Sequence, residues 1–158
     1  MHPQACLKGP QMKSVAQILK TKQNQAVYTI SPSAKVFDAI KMMSDQSVGA
    51  LLVTEGEVIV GIVTERDYAR KMILKGRSST ETSVRDIMTS SVMYVRPEDT
   101  NEQCMALMTE NRLRHLPILD NGKLIGIISI GDLVKDIISE QQFIIQQLEH
   151  YIMGRPPA

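Results

Sequence analysis

The sequence predicts an α+β fold: two copies of a β-α-β-β-α unit packed about a pseudo-two-fold axis, followed by an extended C-terminal helix. Three observations carry that expectation. First, the chain aligns with itself at an offset of 65 residues, without a gap from residue 27 to 68: Val27 meets Val92, Pro32 Pro97, Met43 Met108, Leu51 Leu116, Gly61 Gly126 and Asp67 Asp132. Second, apolar spacing inside each copy changes from strand-like runs to helical faces and back. Third, one copy of about 60 residues is marginal alone, so two packed sheet to sheet could share a core.

The elements follow in chain order. Val15–Leu19 and Val84–Met88 align at an offset of 69, which leaves the first copy four extra residues around Lys20–Gln25. Ser14 and Ser83 stand where they can N-cap short opening helices. Strands are expected at Ala26–Ile30 and Val92–Val95, each running out toward a proline. Amphipathic helices come next, marked by Val36, Phe37, Ile40 and Met43 and by Met105, Leu107 and Met108. Hairpins join Ala50–Val53 to Val58–Val63 and His115–Leu119 to Leu124–Ile128, with glycine-bearing turns at Glu55-Gly56 and Asp120-Asn121-Gly122. The helix closing the first copy runs to about Lys75 and stops at Gly76. From Ile130 to Met153 a single helix is expected, with Ile137, Ile138, Gln141, Ile144, Ile145, Leu148 and Ile152 on one broad face. The division is therefore a flexible N-terminus (1–11), a first repeat (12–76), a polar linker (77–83), a second repeat (84–138) and a helical extension with its tail (139–158).

Composition narrows the classes. The 158 residues are 43% hydrophobic and 22% charged with a net charge of +1, which suits a globular chain and not a wholesale binder of DNA. Aromatic residues are 4% with no Trp, a poor platform for stacking bases. The longest apolar runs, Val48–Val53 and Val58–Val63, fall far short of the ~20 residues that cross a bilayer, and Met1–Gln11 does not read as a secretory signal. Cys6 and Cys104 form no CxxC, so a reducing, cytoplasmic setting is expected, with neither a disulfide framework nor a zinc site. The ten methionines suit irregular gaps in cores and interfaces.

One motif occurs twice, where the third strand of each copy turns into helix: Gly61-Ile62-Val63-Thr64-Glu65-Arg66-Asp67 and Gly126-Ile127-Ile128-Ser129-Ile130-Gly131-Asp132. A hydroxyl followed three residues later by an acid is the pattern of a capping box. The same pair could also serve a ligand, the carboxylate accepting from two ribose hydroxyls and the hydroxyl sitting beside a helix N-terminus that suits phosphate. The two roles are compatible.

These endings, with Ser31-Pro32, Arg96-Pro97 and the strand Arg114-His115-Leu116-Pro117-Ile118, resemble a tandem of CBS (cystathionine-β-synthase-type) domains, also called a Bateman module. The resemblance covers roughly Ser14 to Ile138, and Thr64–Leu74 is similar to small stand-alone bacterial members related to a plant mitochondrial form. It implies a regulatory module that binds adenosine ligands, AMP, ATP or NAD(H), without a metal. It further implies two clefts, each taking its acid from one repeat and its adenine-lining strands from the other. One would use Ile62, Thr64 and Asp67 opposite Val92, Met93, Arg112, Arg114, His115 and Pro117. The other would use Ile127, Ser129 and Asp132 opposite Val27, Tyr28, Val48, Gly49 and Ala50. Lys20 and Lys22 are its nearest phosphate donors, since Ser47–Ala50 replace Arg112–His115. On this count the Asp67 cleft should prefer phosphorylated ligands more strongly. A homodimer through the methionine-bearing helices and an unidentified effector protein are implied partners.

Two other readings are weighed. An enzyme acting on a nicotinamide or adenine nucleotide is disfavoured, because no GxGxxG follows a strand, no GxxxxGK(S/T) occurs and no nucleophile–base pair is suggested. Cys104 falls within a repeat helix, where a buried hydrophobe is the default. An adaptor for protein or nucleic acid without a small ligand is the other, and the near-zero charge weighs against nucleic acid.

Overall fold

The computed structural model describes residues 13–22 and 25–153. The expected flexible ends, Met1–Gln11 and Gly154–Ala158, lie outside these residues, as does Cys6. The chain divides into two compact units, 26–94 and the remainder, so its path passes between them at Gln25–Ala26 and again at Tyr94–Val95.

The first unit in space, 26–94, holds β1 (Thr29–Ile30), α2 (Val36–Gln46), β2 (Ala50–Glu55), β3 (Val58–Thr64), α3 (Glu65–Tyr68) with a π-helical turn at Ala69–Ile73, and a 3-10 turn at Val84–Asp86. Its sheet runs β1-β2-β3, with β1 parallel to β2 and β2 antiparallel to β3. Val36, Ala39, Met43, Leu51, Val53, Val63, Met72, Val84 and Ile87 form one buried cluster beneath it.

The second unit holds α1 (Val15–Thr21), α4 (Asn101–Asn111), β4 (His115–Asp120), β5 (Lys123–Ser129) and α5 (Ile130–Met153). Its buried cluster joins Val15 and Ile18 of α1 to Val95, Cys104, Met108, Leu116, Ile118, Ile128 and Leu133. Cys104 is fully buried, and burial, with the Asp99 charge adding to it, pushes its thiol up to about 11. That suits a structural hydrophobe and not a nucleophile.

The opening segment of each linear repeat therefore packs into the unit built by the other repeat. The same two backbone bonds anchor it in both places. Val15 and Ala16 donate to Asp99 and Pro97, and Val84 and Arg85 donate to Ala34 and Pro32. Ser14 closes a capping box with Gln17, as expected of an N-cap, whereas Ser83 makes no side-chain cap and its segment stays a single 3-10 turn.

The hairpins stand where the sequence places them, each strand one or two residues longer at its turn or its end. Gly56, Asn121 and Gly122 take the positive φ those turns require. The first-strand expectation needs correction. β1 is only Thr29–Ile30, and Val92–Val95 is no strand: Val95 alone bridges Ile118. Proline explains the second loss. Leu52 N donates to the Tyr28 carbonyl at 3.2 Å in the first unit. Pro117 takes the place of Leu52 in the second repeat and has no N–H to offer Met93. The parallel ladder thus ends at Val95, bonded to Pro117 O and Leu119 N.

Gly61 and Gly126 back onto the opening segments. A Cβ at Gly61 would stand 2.6 Å from Met88 Sδ and 3.0 Å from the Thr89 carbonyl, and one at Gly126 would stand 2.9 Å from Leu19 Cδ1. The Thr89 carbonyl cannot retreat easily, because it accepts from Ile62 N. Gly61→Ala is expected to lower unfolding stability by about 1–3 kcal/mol, the usual range for overpacking. Gly126→Ala should lose less, since only a side chain must move. Denaturant midpoints of the two variants check the order.

Candidate functional site

The strand-to-helix junction in the first unit is a reciprocal cap. Asp67 N donates to Thr64 Oγ1 at 3.1 Å, and Asp67 Oδ2 accepts from Thr64 N at 3.0 Å and from the Thr64 hydroxyl at 3.1 Å. The extended backbone at Thr64 makes it possible, and Glu65 N donates to the Gly49 carbonyl, which fixes the start of α3 against the start of β2. Asp67 is buried, yet its other oxygen meets Lys71 Nζ at 3.1 Å, and the same ammonium donates to the Ile87 carbonyl at 2.8 Å.

The second unit repeats the arrangement. Asp132 Oδ2 accepts from Ser129 N at 2.8 Å and Asp132 N donates to Ser129 Oγ at 3.2 Å. Ile130 N donates to the Arg114 carbonyl, the counterpart of the Glu65–Gly49 bond. A lysine again holds the carboxylate, but from elsewhere: Lys22, just past α1, places Nζ 3.1 Å from Asp132 Oδ2 and donates to the Ile127 carbonyl at 2.7 Å. The capping and ligand readings of the motif thus start from one geometry. The cap aims the carboxylate and an ammonium faces it.

Beside Asp132 a cavity of about 580 Å³ runs along α1 and α5, with Lys13, Lys22, Lys135, Asp136 and Ser139 among its walls. Asp136 is buried and pairs with Lys13 at 3.2 Å and Asn101 Nδ2 at 2.7 Å. Among the described residues no group of three or more His, Cys, Asp or Glu is placed to hold a metal ion, and no helix is long and apolar enough to cross a membrane.

The remaining sequence-predicted residues divide between the units. Ile62, Thr64, Asp67, Val92 and Met93 share the first with Val27, Tyr28, Val48, Gly49 and Ala50; Arg112, Arg114, His115 and Pro117 lie in the second with Ile127, Ser129, Asp132, Lys20 and Lys22. Ile62 and Ala50 are buried in the sheet, Tyr28 and Val48 pack on the core, and Met93 is exposed. Arg112 and Arg114 are exposed, Arg112 at the left-handed C-cap of α4 with φ of 54°. Lys20 is exposed, and its carbonyl accepts from Gln25 Nε2.

His115 is half-buried at the start of β4, opposite Ser129. Burial holds its imidazole below the ordinary 6.5; Lys22 and Arg114 push the same way, and Asp132 opposes them. His115, expected opposite Asp67, thus feels the charges around Asp132.

Lys71 is absent from the residues that the sequence singled out for the site. The signal was present, since Asp67 and Lys71 are four apart on a helical segment. Lys22 carried no such local signal.

The family description "CBS domain" matches residues 15–74 and 84–139, and the chain belongs to the CBS-domain family. The mitochondrial CBS domain-containing protein CBSX3 of Arabidopsis thaliana is 39% identical over 154 residues, 92% of this chain and 75% of that one. The solved structure of a protein with CBS domains from Burkholderia ambifaria superposes with a TM-score of 0.79 at 57% identity, over 82% of this chain and 96% of that one. The CBS pair of protein MJ0100, solved with 5′-methylthioadenosine and S-adenosylmethionine, shares the fold with a TM-score of 0.72 at 18% identity, over 82% of this chain and 99% of that one.

The depressed His115 gives a pH dependence of known sign. Between its folded pKa and 6.5 the unfolded chain binds more protons, so stability falls as pH drops through 6.5. The melting temperature is expected to decline from pH 7 to about 5.5, and His115→Gln should flatten that decline. Parallel curves for the two proteins would refute the assignment.

Proposed function

We propose that this chain is a regulatory module that binds adenosine ligands at Asp67 and Asp132 and passes their occupancy to a partner protein. The observation that carries the reading is the duplicated carboxylate, held in the same reciprocal cap at positions 65 residues apart. A capped carboxylate is aimed and rich in acceptor lone pairs, which is what two adjacent ribose hydroxyls need. The hydroxyl of Thr64 or Ser129 and the N-terminus behind it suit a phosphate. The complex of MJ0100 with two adenosine compounds supports the ligand class on the shared fold.

The strand residues supply the base. Val92 and Met93 in one repeat, and Val27 and Tyr28 in the other, offer backbone groups to an adenine edge, with Ile62 or Ile127 against its face. The repeats are unequal here, because Leu52 N claims the Tyr28 carbonyl while Pro117 leaves the Met93 carbonyl without that donor. Arg112, Arg114 and His115 add donors for phosphates, as do Lys20 and Lys22. AMP, ATP and NAD(H) share these features and are the candidate ligands. The module acts as a homodimer and reads its ligand without transforming it. The exposed apolar stretch of α5, with Ile138, Phe143, Ile145, Leu148 and Ile152, is the surface offered to a second protomer.

A thermal-shift panel of AMP, ATP, NAD, NADH, adenosine and S-adenosylmethionine tests the reading, since stabilisation follows ligand concentration over Kd. Asp→Asn keeps a carbonyl for the cap and removes the charge. A charge-assisted hydrogen bond contributes about 1.5–3 kcal/mol, so Asp67→Asn and Asp132→Asn should each weaken one site roughly ten- to a hundredfold. A double variant that keeps the full ligand-induced shift would overturn it.

A further inference from the structure

Both aspartates face a lysine, but the two lysines differ in what happens when they let go. Lys71 sits on the same helical segment as Asp67, also bonds the Ile87 carbonyl, and its side chain is 36% exposed. Released from the carboxylate, it turns into water at small cost. Lys22 is 20% exposed and reaches Asp132 from the end of α1, with its second bond on the Ile127 carbonyl. It lies within the stretch around Lys20–Gln25 where the first repeat has four extra residues, so this lysine has no counterpart at Asp67. It lines the cavity beside Asp132 together with Lys135 and Lys13.

A ribose diol that spans both oxygens of Asp132 competes at Oδ2, which Lys22 and the Ser129 N–H already hold. If the diol wins, an ammonium in a partly buried place keeps one carbonyl and loses its counter-ion. Leaving a charge in that state is strongly unfavourable unless another partner appears. A phosphate on the ligand is such a partner, and the cavity gives it room beside Lys22 and Lys135. A neutral nucleoside brings nothing, and a cationic ligand makes matters worse. Lys13 is committed to Asp136 and Glu140 and adds only background potential.

We propose that Lys22 is a specificity-determining residue that makes the Asp132 site select anionic, phosphorylated adenosine ligands against neutral or cationic ones. The inference rests on the reading that Asp132 receives the ribose. It also adds Lys135 to Lys22 at this site, and so narrows the difference expected between the two sites.

Calorimetric titration of the full chain with AMP and with adenosine tests it, in an Asp67→Asn background that leaves the Asp132 site to report. Lys22→Met removes the ammonium, and Lys22→Gln keeps a donor for the Ile127 carbonyl should the first variant fold poorly. Both variants are expected to weaken AMP binding roughly tenfold, the loss of one charge-assisted contact. Both should strengthen adenosine binding, because the diol no longer has a competitor. Effects of opposite sign on the two ligands are the signature. If Asp132→Asn loses both ligands while the Lys22 variants change both by the same factor or neither, the specificity role is overturned and the ribose reading stands. If Asp132→Asn changes neither ligand, or neither binds the background protein, the ribose reading fails and this inference with it.

Discussion

A carboxylate that caps its own helix is the constraint on which each half of the molecule depends. Asp67 and Asp132 take backbone donors from Thr64 and Ser129 and return a backbone N–H to the hydroxyl. The bonds turn β3 into α3 and β5 into α5 without leaving the first N–H groups bare. They also point the acid one way. Any ligand that uses it meets a group already oriented by the fold, so little ordering entropy remains to be spent on binding. For the same reason the site cannot be abolished cleanly: truncating the acid removes a cap worth about 1 kcal/mol along with the binding group. An amide in its place separates the two effects.

Duplication set the frame, and single residues broke its symmetry. Pro117 for Leu52 takes one donor out of a parallel ladder and shortens a strand to one bridge. The Ile62 N–H and carbonyl bond Thr89 on both sides, whereas the matching Ile127 carbonyl receives the Lys22 ammonium. Ser47 and Arg112 keep the same left-handed backbone, φ of 54° in each, though one is small and neutral and the other long and charged. The backbone is what both copies had to preserve in order to swing from helix into strand. The side chains at its edges were free to diverge.

Local patterns made most of the elements legible in the sequence. Glycine and asparagine marked the turns, Ser14 and Thr64 the caps, and the apolar face of α5 gave both ends of that helix, Ile130 and Met153. What the sequence hid was long-range. An amphipathic α1 announces that it will bury one face, but nothing in its spacing says that the burying unit is built by the other repeat. The strand at Val92–Val95 looked sound from its own residues; the reason it fails lies at Pro117, across the ladder. The site was half legible for the same reason. Both motif pairs could be read as caps from their spacing, and Lys71 could have been. Lys22 meets Asp132 only once α1 has been carried into the second unit.

The two places where the chain passes between units are flanked by candidate ligand residues. Lys22, Val27 and Tyr28 stand around Gln25–Ala26, and Val92 and Met93 lie just before Tyr94–Val95. A ligand shifts a conformational equilibrium only by binding its two states unequally. Groups within a compact core change little between such states. Lys22 ties the end of α1 to Asp132 and to the Ile127 carbonyl, so a ligand that took its place at Asp132 would change a contact at the edge of its unit and not in its core.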